Sequence, residues 1–325
     1  MIGLGWVAQE VHLPNLKSIP ELELAAVCDV DGEKVSKVAS AYGCNGEQDY
    51  RTICERKDIE AVLVLTPPLR RLDLIKTAIE NHKHVYCEKP LAESLESAEG
   101  IAAAVRKENI TFMVGYNMRY SEYRENIKAL LPALGRSSIE LNSYWVGRDL
   151  VSLGYGRSYQ DVARYTLFEK GTHLVDLLRW FFGDEYELLD SKMEVENGID
   201  VWSSFSIRFK SASTHSEIST KSKSPDEERN TMTFVGEKGT LRHVTDGIPD
   251  SLTFTPAKGQ GIIGQAMEIV GRAKLSSHVR ALNHFVRCVQ TGEEPLTNVE
   301  EALKSLELVF RIYSKAGHAW KLVEA

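Results

Sequence analysis

Gly3-Leu4-Gly5-Trp6-Val7-Ala8 spells G-x-G-x-x-A at the head of the sequence. In a strand–turn–helix unit the first glycine permits a tight turn and the second lets the backbone approach a pyrophosphate. The small third residue lets helix and strand pack closely. The N-terminus of the following helix then holds negative charge. Glycine turns are common, so the motif gains weight from its surroundings. Asp29 ends the next apolar run, Leu22 to Val30, a little over 20 positions on, where an acid can accept hydrogen bonds from a ribose 2′-hydroxyl. The alternative is that Asp29 only caps the next helix. One departure stands out. A doubly wound sheet wants about five residues before the loop, and only Met1-Ile2 precede it. The expectation is a first strand that starts late or is completed by residues upstream of this numbering.

Outward from the loop, strands and helices alternate. Ala61 to Thr66 reads as a buried strand stopped by Pro67-Pro68, and His84 to Cys87 and Thr111 to Gly115 as further strands. Lys34 to Tyr42, Leu72 to Asn81 and Ser94 to Asn109 carry helical spacing. This rhythm implies βαβ units and a parallel sheet. After residue 120 it changes. A helix, Tyr123 to Leu131, leads to strands over Ser138 to Val146, Asp200 to Lys210, Thr214 to Thr220, Asn230 to Val235 and Thr240 to His243, which read as antiparallel. Helices at Val279 to Gln290 and Val299 to Ala316 follow. The expected fold is α/β: a Rossmann dinucleotide-binding domain over 1–120, then an α+β domain over 121–325 with a large, mainly antiparallel open sheet. Lys221 to Glu228 reads as an exposed hairpin loop.

Composition limits the function classes. The 325 residues are 43% hydrophobic and 26% charged, with net charge −7. That is ordinary globular usage. No apolar run approaches the roughly 18 residues of a membrane span. The mild acidity argues against nucleic acid and suits small-molecule partners. Five scattered cysteines form neither a disulfide framework nor a zinc site, and the histidines share no metal spacing. No metal is expected. The short apolar start runs directly into a glycine turn and does not read as a signal peptide. A cytoplasmic setting is expected.

His84-Val85-Tyr86-Cys87-Glu88-Lys89-Pro90-Leu91 sets a lysine at the carboxyl edge of the sheet, where such sheets bind ligands. With the glycine loop, Cys28-Asp29, Thr66-Pro67-Pro68, Gly115-Tyr116-Asn117-Met118-Arg119-Tyr120, Gly171-Thr172-His173-Leu174-Val175-Asp176 and Gly292-Glu293-Glu294-Pro295-Leu296-Thr297, the chain resembles the glucose–fructose oxidoreductase/inositol dehydrogenase (Gfo/Idh/MocA) family over nearly its whole length. The resemblance implies an NAD- or NADP-dependent oxidoreductase acting on sugars, cyclitols or related polyols, with oligomer contacts through the open sheet. It implies cofactor contacts from Gly3, Gly5, Trp6, Val7, Ala8, Asp29, Thr66, Pro67, Glu88, Lys89, Asn117 and Arg119. Substrate contacts are expected from Lys89, Tyr116, Arg148, Arg157, Glu169 and His173.

Glu169, His173, Asp176 and Trp180 fall on one helical stripe, with Leu174, Leu177, Leu178 and Phe181 on another. The second is the core face. The first suits a cleft wall or, alternatively, a solvated face with a Glu–His pair. The family pattern has Asp where this chain has Glu169, and the glycine-rich stretch usual before that acid is absent. Arg148, Arg157 and Arg164 could clamp a carboxylate, and their alternative is an ordinary polar loop. His12 reads as a helix-face residue.

The expected reaction is hydride transfer between a carbinol carbon and a nicotinamide. His173 would be the general base, and Lys89 would stabilise the developing alkoxide. The catalytic set is Lys89, His173 and Glu169, and the resemblance implies that Lys89 and His173 meet across a cleft. NAD is expected over NADP, because Asp29 repels a 2′-phosphate and Val30 offers no cation. Alternation in Val201 to Phe209 points to a homodimer or homotetramer. Competing readings are a non-catalytic dinucleotide-binding sensor, a trans-dihydrodiol dehydrogenase-like reductase and an adenosyl-dependent methyltransferase.

Overall fold

A computed structural model describes residues 1–69, 71–135, 139–148, 165–196, 198–222, 229–245, 250–257, 267–268 and 275–317. The contacts divide the chain into two units. One is Met1–Tyr120 with Leu275–Glu307, the other Ser121–Lys274 with Leu308–Ala325.

The first unit turns on Ile2, which forms parallel bridges to Cys28 on one side and Val64 on the other. Its N–H donates to Leu63 O and its carbonyl accepts from Leu65 N, both at 2.8 Å, and Gly3 N–H donates to Cys28 O at 2.8 Å. These bonds join two parallel half-sheets. One holds β1 (Ala26–Cys28) and β2 (Asn45–Glu47). The other holds β3 (Ala61–Val64), β4 (His84–Cys87) and β5 (Phe112–Val114). Counted along the chain with Ile2 first, the strand order is 3-2-1-4-5-6. That is the doubly wound dinucleotide-binding order, and its reversal falls at the strand that feeds the glycine loop. The strand expected over Leu22 to Val30 contracts to three residues. β2 escapes sequence reading because Asn45-Gly46-Glu47 holds no apolar residue and lies at the sheet edge.

Asp31, not Asp29, caps the helix Gly32–Tyr42: its carboxylate accepts from Glu33 N and Lys34 N, and Gly43, in the left-handed region, ends it. The helix Ser277–Thr291 belongs to this unit. Its Val279, Leu282 and Phe285 join Leu4, Val27, Leu63 and Tyr86 in one core. Val114 N–H also donates to Thr297 O at 2.8 Å. The sequence expectation placed all of 121–325 together. The apolar stripe of this helix instead packs on the first sheet.

The second unit is built on eight strands: β6 (Ile139–Arg148), β7 (Tyr186–Glu196), β8 (Ile199–Phe209), β9 (Ala212–Ser222), β10 (Arg229–Gly236), β11 (Gly239–Thr245), β12 (Ser251–Pro256) and β13 (Met267–Glu268). Their order is β13-β12-β11-β10-β6-β9-β8-β7. Every pairing is antiparallel except β6 with β9. β6 therefore separates β9 from β10, and the segment Lys221 to Glu228 does not close a hairpin; residues 223–228 themselves lie outside the described residues. β7 (YELLDSKMEVE) was absent from the sequence reading because an edge strand with a charged face lacks a clean apolar row.

Phe205, Ile207 and Phe209 of β8 are buried, each contributing about 1.5–3 kcal/mol. The helix Thr172–Phe182 lies on this sheet through ring contacts, Phe182 with Phe209 at 5.4 Å and Phe181 with Phe234 at 5.7 Å. The apolar row expected to drive self-association is thus buried within its own unit. Among the described residues no helix is long and apolar enough to cross a membrane.

Asp200 at the start of β8 anchors the approach to that helix. Its Oδ1 accepts from Tyr165 N at 2.6 Å and Tyr313 Oη at 3.0 Å, and Oδ2 accepts from Leu167 N at 2.8 Å. Burial pushes its carboxyl up, against the pull of these donors. Asp200→Ala leaves three buried donors without an acceptor, each costing about 1–3 kcal/mol. Urea titration should show a stability loss of about 3 kcal/mol or more, with Asp200→Asn, which accepts on one oxygen only, between it and wild type. A loss under about 1 kcal/mol for Asp200→Ala would contradict this anchoring role.

Candidate active site

The glycine loop sits at the carboxyl edge of the first sheet. Gly3 has φ +92°, and an added Cβ would lie 2.8 Å from Thr66 N and 2.9 Å from Leu65 C, so only glycine fits there. At Gly5 an added Cβ would meet nothing within 4 Å. The protein keeps backbone there with open space in front of it, which is the cradle a pyrophosphate needs. Trp6 projects beside it, 63% exposed. Val7 is half-buried, and Ala8 is buried at the start of a π-helical turn, Ala8–His12.

Asp29 stands at the end of β1. Its Oδ2 accepts from Leu4 N at 2.7 Å and its Oδ1 from Asp31 N at 3.0 Å. The carboxylate thus shapes the loop and keeps a negative charge beside it. Val30 is 89% exposed. Lys34, the nearby cation, pairs with Asp31 at 3.3 Å. Thr66 and Pro67 end β3 at the same edge. These residues fit a dinucleotide: backbone with open space before it at Gly5 and an acid at the end of the neighbouring strand, which could accept from a ribose hydroxyl.

Lys89 follows β4 at this edge and is half-buried. Its N–H donates to Glu88 Oε2 at 3.1 Å. Glu88 Oε1 lies 2.9 Å from His12 Nε2. A carboxylate only accepts, so Nε2 carries the proton. His12 is fully buried and stacks edge-on to Tyr86 at 5.6 Å and His278 at 6.0 Å. His12 does lie on a helical face, and the π-helical turn Ala8–His12 points that face inward. Burial alone would push the Glu88 carboxyl up, but the His12 hydrogen bond and the charges of His12, Lys89 and His278 hold it at about 2. Glu88 therefore fixes the Lys89 peptide and does not itself face open space.

Two expected contacts turn inward. Arg119 is 1% exposed, and its guanidinium donates to Leu296 O at 3.2 Å and to Glu301 Oε2 at 3.0 Å. It ties the end of the segment after β5 to Leu296 and Glu301, in place of the expected cofactor contact. Tyr116, expected at the substrate, is fully buried in the core. Asn117 Nδ2 donates to Ser277 Oγ at 2.8 Å.

In the second unit, Glu169 lies in a π-helical turn, Thr166–Gly171, and the α-helix begins only at Thr172. The stripe that sequence drew through Glu169 and His173 therefore crosses a wider turn. His173 is 9% exposed, Asp176 is buried and Glu169 half-buried. Trp180 carries Lys128 Nζ at 4.4 Å over its ring. This is not a solvated helix face. Arg148 ends β6; its side chain, and Arg157 and Arg164 entirely, lie outside the described residues. Among those described, no group of three or more His, Cys, Asp or Glu is placed to hold a metal, and all five cysteines are free. Sequence reasoning missed Arg71 and Asp200, whose roles rest on long-range hydrogen bonds that no local spacing announces.

The two glycines should separate in experiment. Gly3→Ala forces a side chain into left-handed backbone, costing about 1–3 kcal/mol before its clash is counted, and should lower the thermal midpoint of the free protein. Gly5→Ala should leave that midpoint unchanged yet weaken NADH binding about tenfold or more, the effect of about 1.4 kcal/mol. Unchanged NADH fluorescence titration for Gly5→Ala would remove the cradle assignment. Glu88 gives a pH signature. A carboxyl lowered on folding from 4.5 to about 2 adds stability that is complete above its unfolded value and lost as pH falls between the two. The thermal midpoint should drop across that window, and drop less steeply in Glu88→Gln.

Comparison with known proteins agrees with this geometry. The oxidoreductase family's NAD-binding Rossmann fold matches residues 1–116, and its C-terminal alpha/beta domain matches residues 163–321. An uncharacterized oxidoreductase, YrbE, of Bacillus subtilis is 31% identical over 40% of this chain and 38% of its own. The D-apiose dehydrogenase of Paraburkholderia graminis is 24% identical over 97% of this chain and 86% of its own. The myo-inositol 2-dehydrogenase of Thermotoga maritima is 23% identical over 95% and 92%. Among solved structures, an oxidoreductase domain protein from Kribbella flavida superposes with TM-score 0.84 at 20% identity, covering 98% of this chain and 96% of that one. The 3-ketoreductase KijD10 of Actinomadura kijaniata superposes with TM-score 0.81 at 18% identity over 97% and 96%. The chain belongs to the Gfo/Idh/MocA family of NAD(P)-dependent oxidoreductases.

Proposed function

We propose that the protein is a cytoplasmic NAD-dependent dehydrogenase that moves a hydride between the nicotinamide and a carbinol carbon of a sugar, cyclitol or sugar acid. The observation that carries this reading is Lys89, whose backbone N–H donates to the Glu88 carboxylate at the carboxyl edge of a dinucleotide-type sheet. Two relatives that match nearly the whole chain are named for a sugar and a cyclitol, which supports the substrate class. The bound nicotinamide supplies the hydride acceptor. His173, as neutral imidazole, accepts the hydroxyl proton, and the Lys89 ammonium hydrogen-bonds the oxygen as negative charge develops on it. Glu169 orients His173 or binds substrate. Arg148, Arg157 and Arg164 would favour an anionic substrate.

NAD is favoured over NADP. The Asp29 carboxylate beside the glycine loop would repel a 2′-phosphate, Val30 is neutral, and Lys34 is paired with Asp31. We also propose a homodimer or homotetramer through the outer face of the second sheet, where Tyr144 is exposed.

A panel of polyols, inositols and sugar acids assayed with NAD and NADP tests this reading. Oxidation should favour NAD in kcat/KM and rise with pH through the neutral range as imidazole sheds its proton. Lys89→Ala and His173→Ala should each lower kcat by about 10²- to 10⁴-fold, with NADH affinity held within about threefold, well under 1 kcal/mol. The pair together should fall short of additivity. A sensor would bind NADH equally well but turn over nothing on the panel.

A further inference from the structure

We propose that Arg71 is a positioning residue for Lys89, holding the backbone on both sides of that lysine and tying it to the neighbouring strand end. The proposal rests on the reading of Lys89 given above. Arg71 opens the helix Arg71–Glu80 and is 2% exposed. Its guanidinium Nη1 donates to Glu88 O and to Pro90 O, the carbonyls that flank Lys89, and lies 3.5 Å from Cys87 Sγ. Nη2 donates to Thr66 O at the end of β3. Every one of these contacts lies within the first unit.

The chemistry of the group explains the arrangement. Carbonyls just past a strand's last ladder bond have no partner in the sheet, and a buried orphan costs free energy. A guanidinium offers five donors in a rigid planar fork. It can therefore meet carbonyls from two loops in one plane, whereas an ammonium is a point charge on a flexible stem. Burying such a cation is costly, and Leu or Met would fill the same volume without that cost. What the charge adds is direction. With Glu88 Oε2 accepting from Lys89 N, the backbone around Lys89 is held at its own N–H by Glu88 and at the two flanking carbonyls by Arg71. The third carbonyl, of Thr66, puts the loop carrying Thr66-Pro67 in the same frame.

The test compares Arg71→Lys and Arg71→Met with wild type and Lys89→Ala. Amide hydrogen exchange of the free protein is read in peptides spanning 62–68 and 85–92. Both variants should exchange about tenfold faster in both peptides, equivalent to about 1.4 kcal/mol of lost local protection, while peptides from Ser277–Thr291 stay unchanged. On the best polyol of the panel with NAD, kcat should fall by about 10²-fold, the effect of an ångström of misplacement, a larger change than any in KM for NAD. Arg71→Lys should not restore it. Arg71→Ala should recover part of kcat with millimolar methylguanidinium and none with urea. Exchange at 85–92 equal to wild type would overturn the proposal. So would full turnover of Arg71→Met beside a crippled Lys89→Ala. Full turnover of Lys89→Ala would instead overturn the catalytic reading, and exchange would still decide whether Arg71 fixes this backbone. If Arg71→Met does not fold, Arg71→Lys and its exchange pattern carry the decision.

Discussion

The parallel bridges of Ile2 carry more of this structure than their number suggests. Ile2 bonds the β3 side through its own N–H and carbonyl, while its neighbours bond β1, Met1 O accepting from Cys28 N and Gly3 N donating to Cys28 O; without this segment the first unit is two half-sheets with unsatisfied inner edges. The same residue feeds Gly3, so joining the sheet and aiming the loop are one act. Asp29 then locks the turn by accepting from Leu4 N. The loop is therefore positioned by backbone on three sides: Ile2 behind it, the end of β1 beside it and the Leu65-Thr66 peptide packed against Gly3. A site built this way depends little on side-chain rotamers, which is what a preorganised anion cradle requires.

Buried charge is the second organising feature. Glu88, Arg71, Arg119 and Asp200 are each nearly or wholly buried, and each costs desolvation that an apolar residue would avoid. Each carries several hydrogen bonds, and each ends on a segment that must be placed accurately. Glu88 and Arg71 fix the backbone of Lys89. Arg119 ties the segment after β5 to Leu296 and Glu301. Asp200 holds the turn that carries Glu169 and leads to His173. Breaking one partner leaves the others uncompensated, so these groups favour a single geometry over a set of near-equal ones.

The sequence was most legible where geometry is local. The glycine loop, the strand–helix alternation and the strands β6, β8, β9, β10 and β11 all follow from turn chemistry and periodicity. β2 and β7 were not legible, because edge strands bury too little to leave an apolar signature. The return of Ser277–Thr291 to the first core was hidden as well, since an amphipathic stripe states that it packs but not on what. The same limit governs the site. Lys89 and Asp29 are announced by motif and spacing. The burial of His12 against Glu88 is not, because its partner lies 76 positions on and no local spacing announces it. Arg119 read as a ligand contact because position after a strand says nothing of direction, and direction here is set by Glu301 from far along the chain.

Class of chemistry and choice of substrate therefore rest on different physics in this fold. On the function proposed above, the first depends on backbone carbonyls, amides and one lysine at a parallel sheet edge, held by bonds that tolerate wide change elsewhere. On the same proposal, the second depends on which side chains stand near His173, just after the π-helical turn Thr166–Gly171. One changed residue there, such as Glu169 in the place of the family's Asp, moves a carboxylate by about an ångström, enough to alter rate by about 10²-fold where reacting groups must be aligned. A chain can thus keep 18–24% identity with its relatives and solved neighbours while retaining the hydride-transfer frame. The residues that select the substrate are then the ones freest to differ.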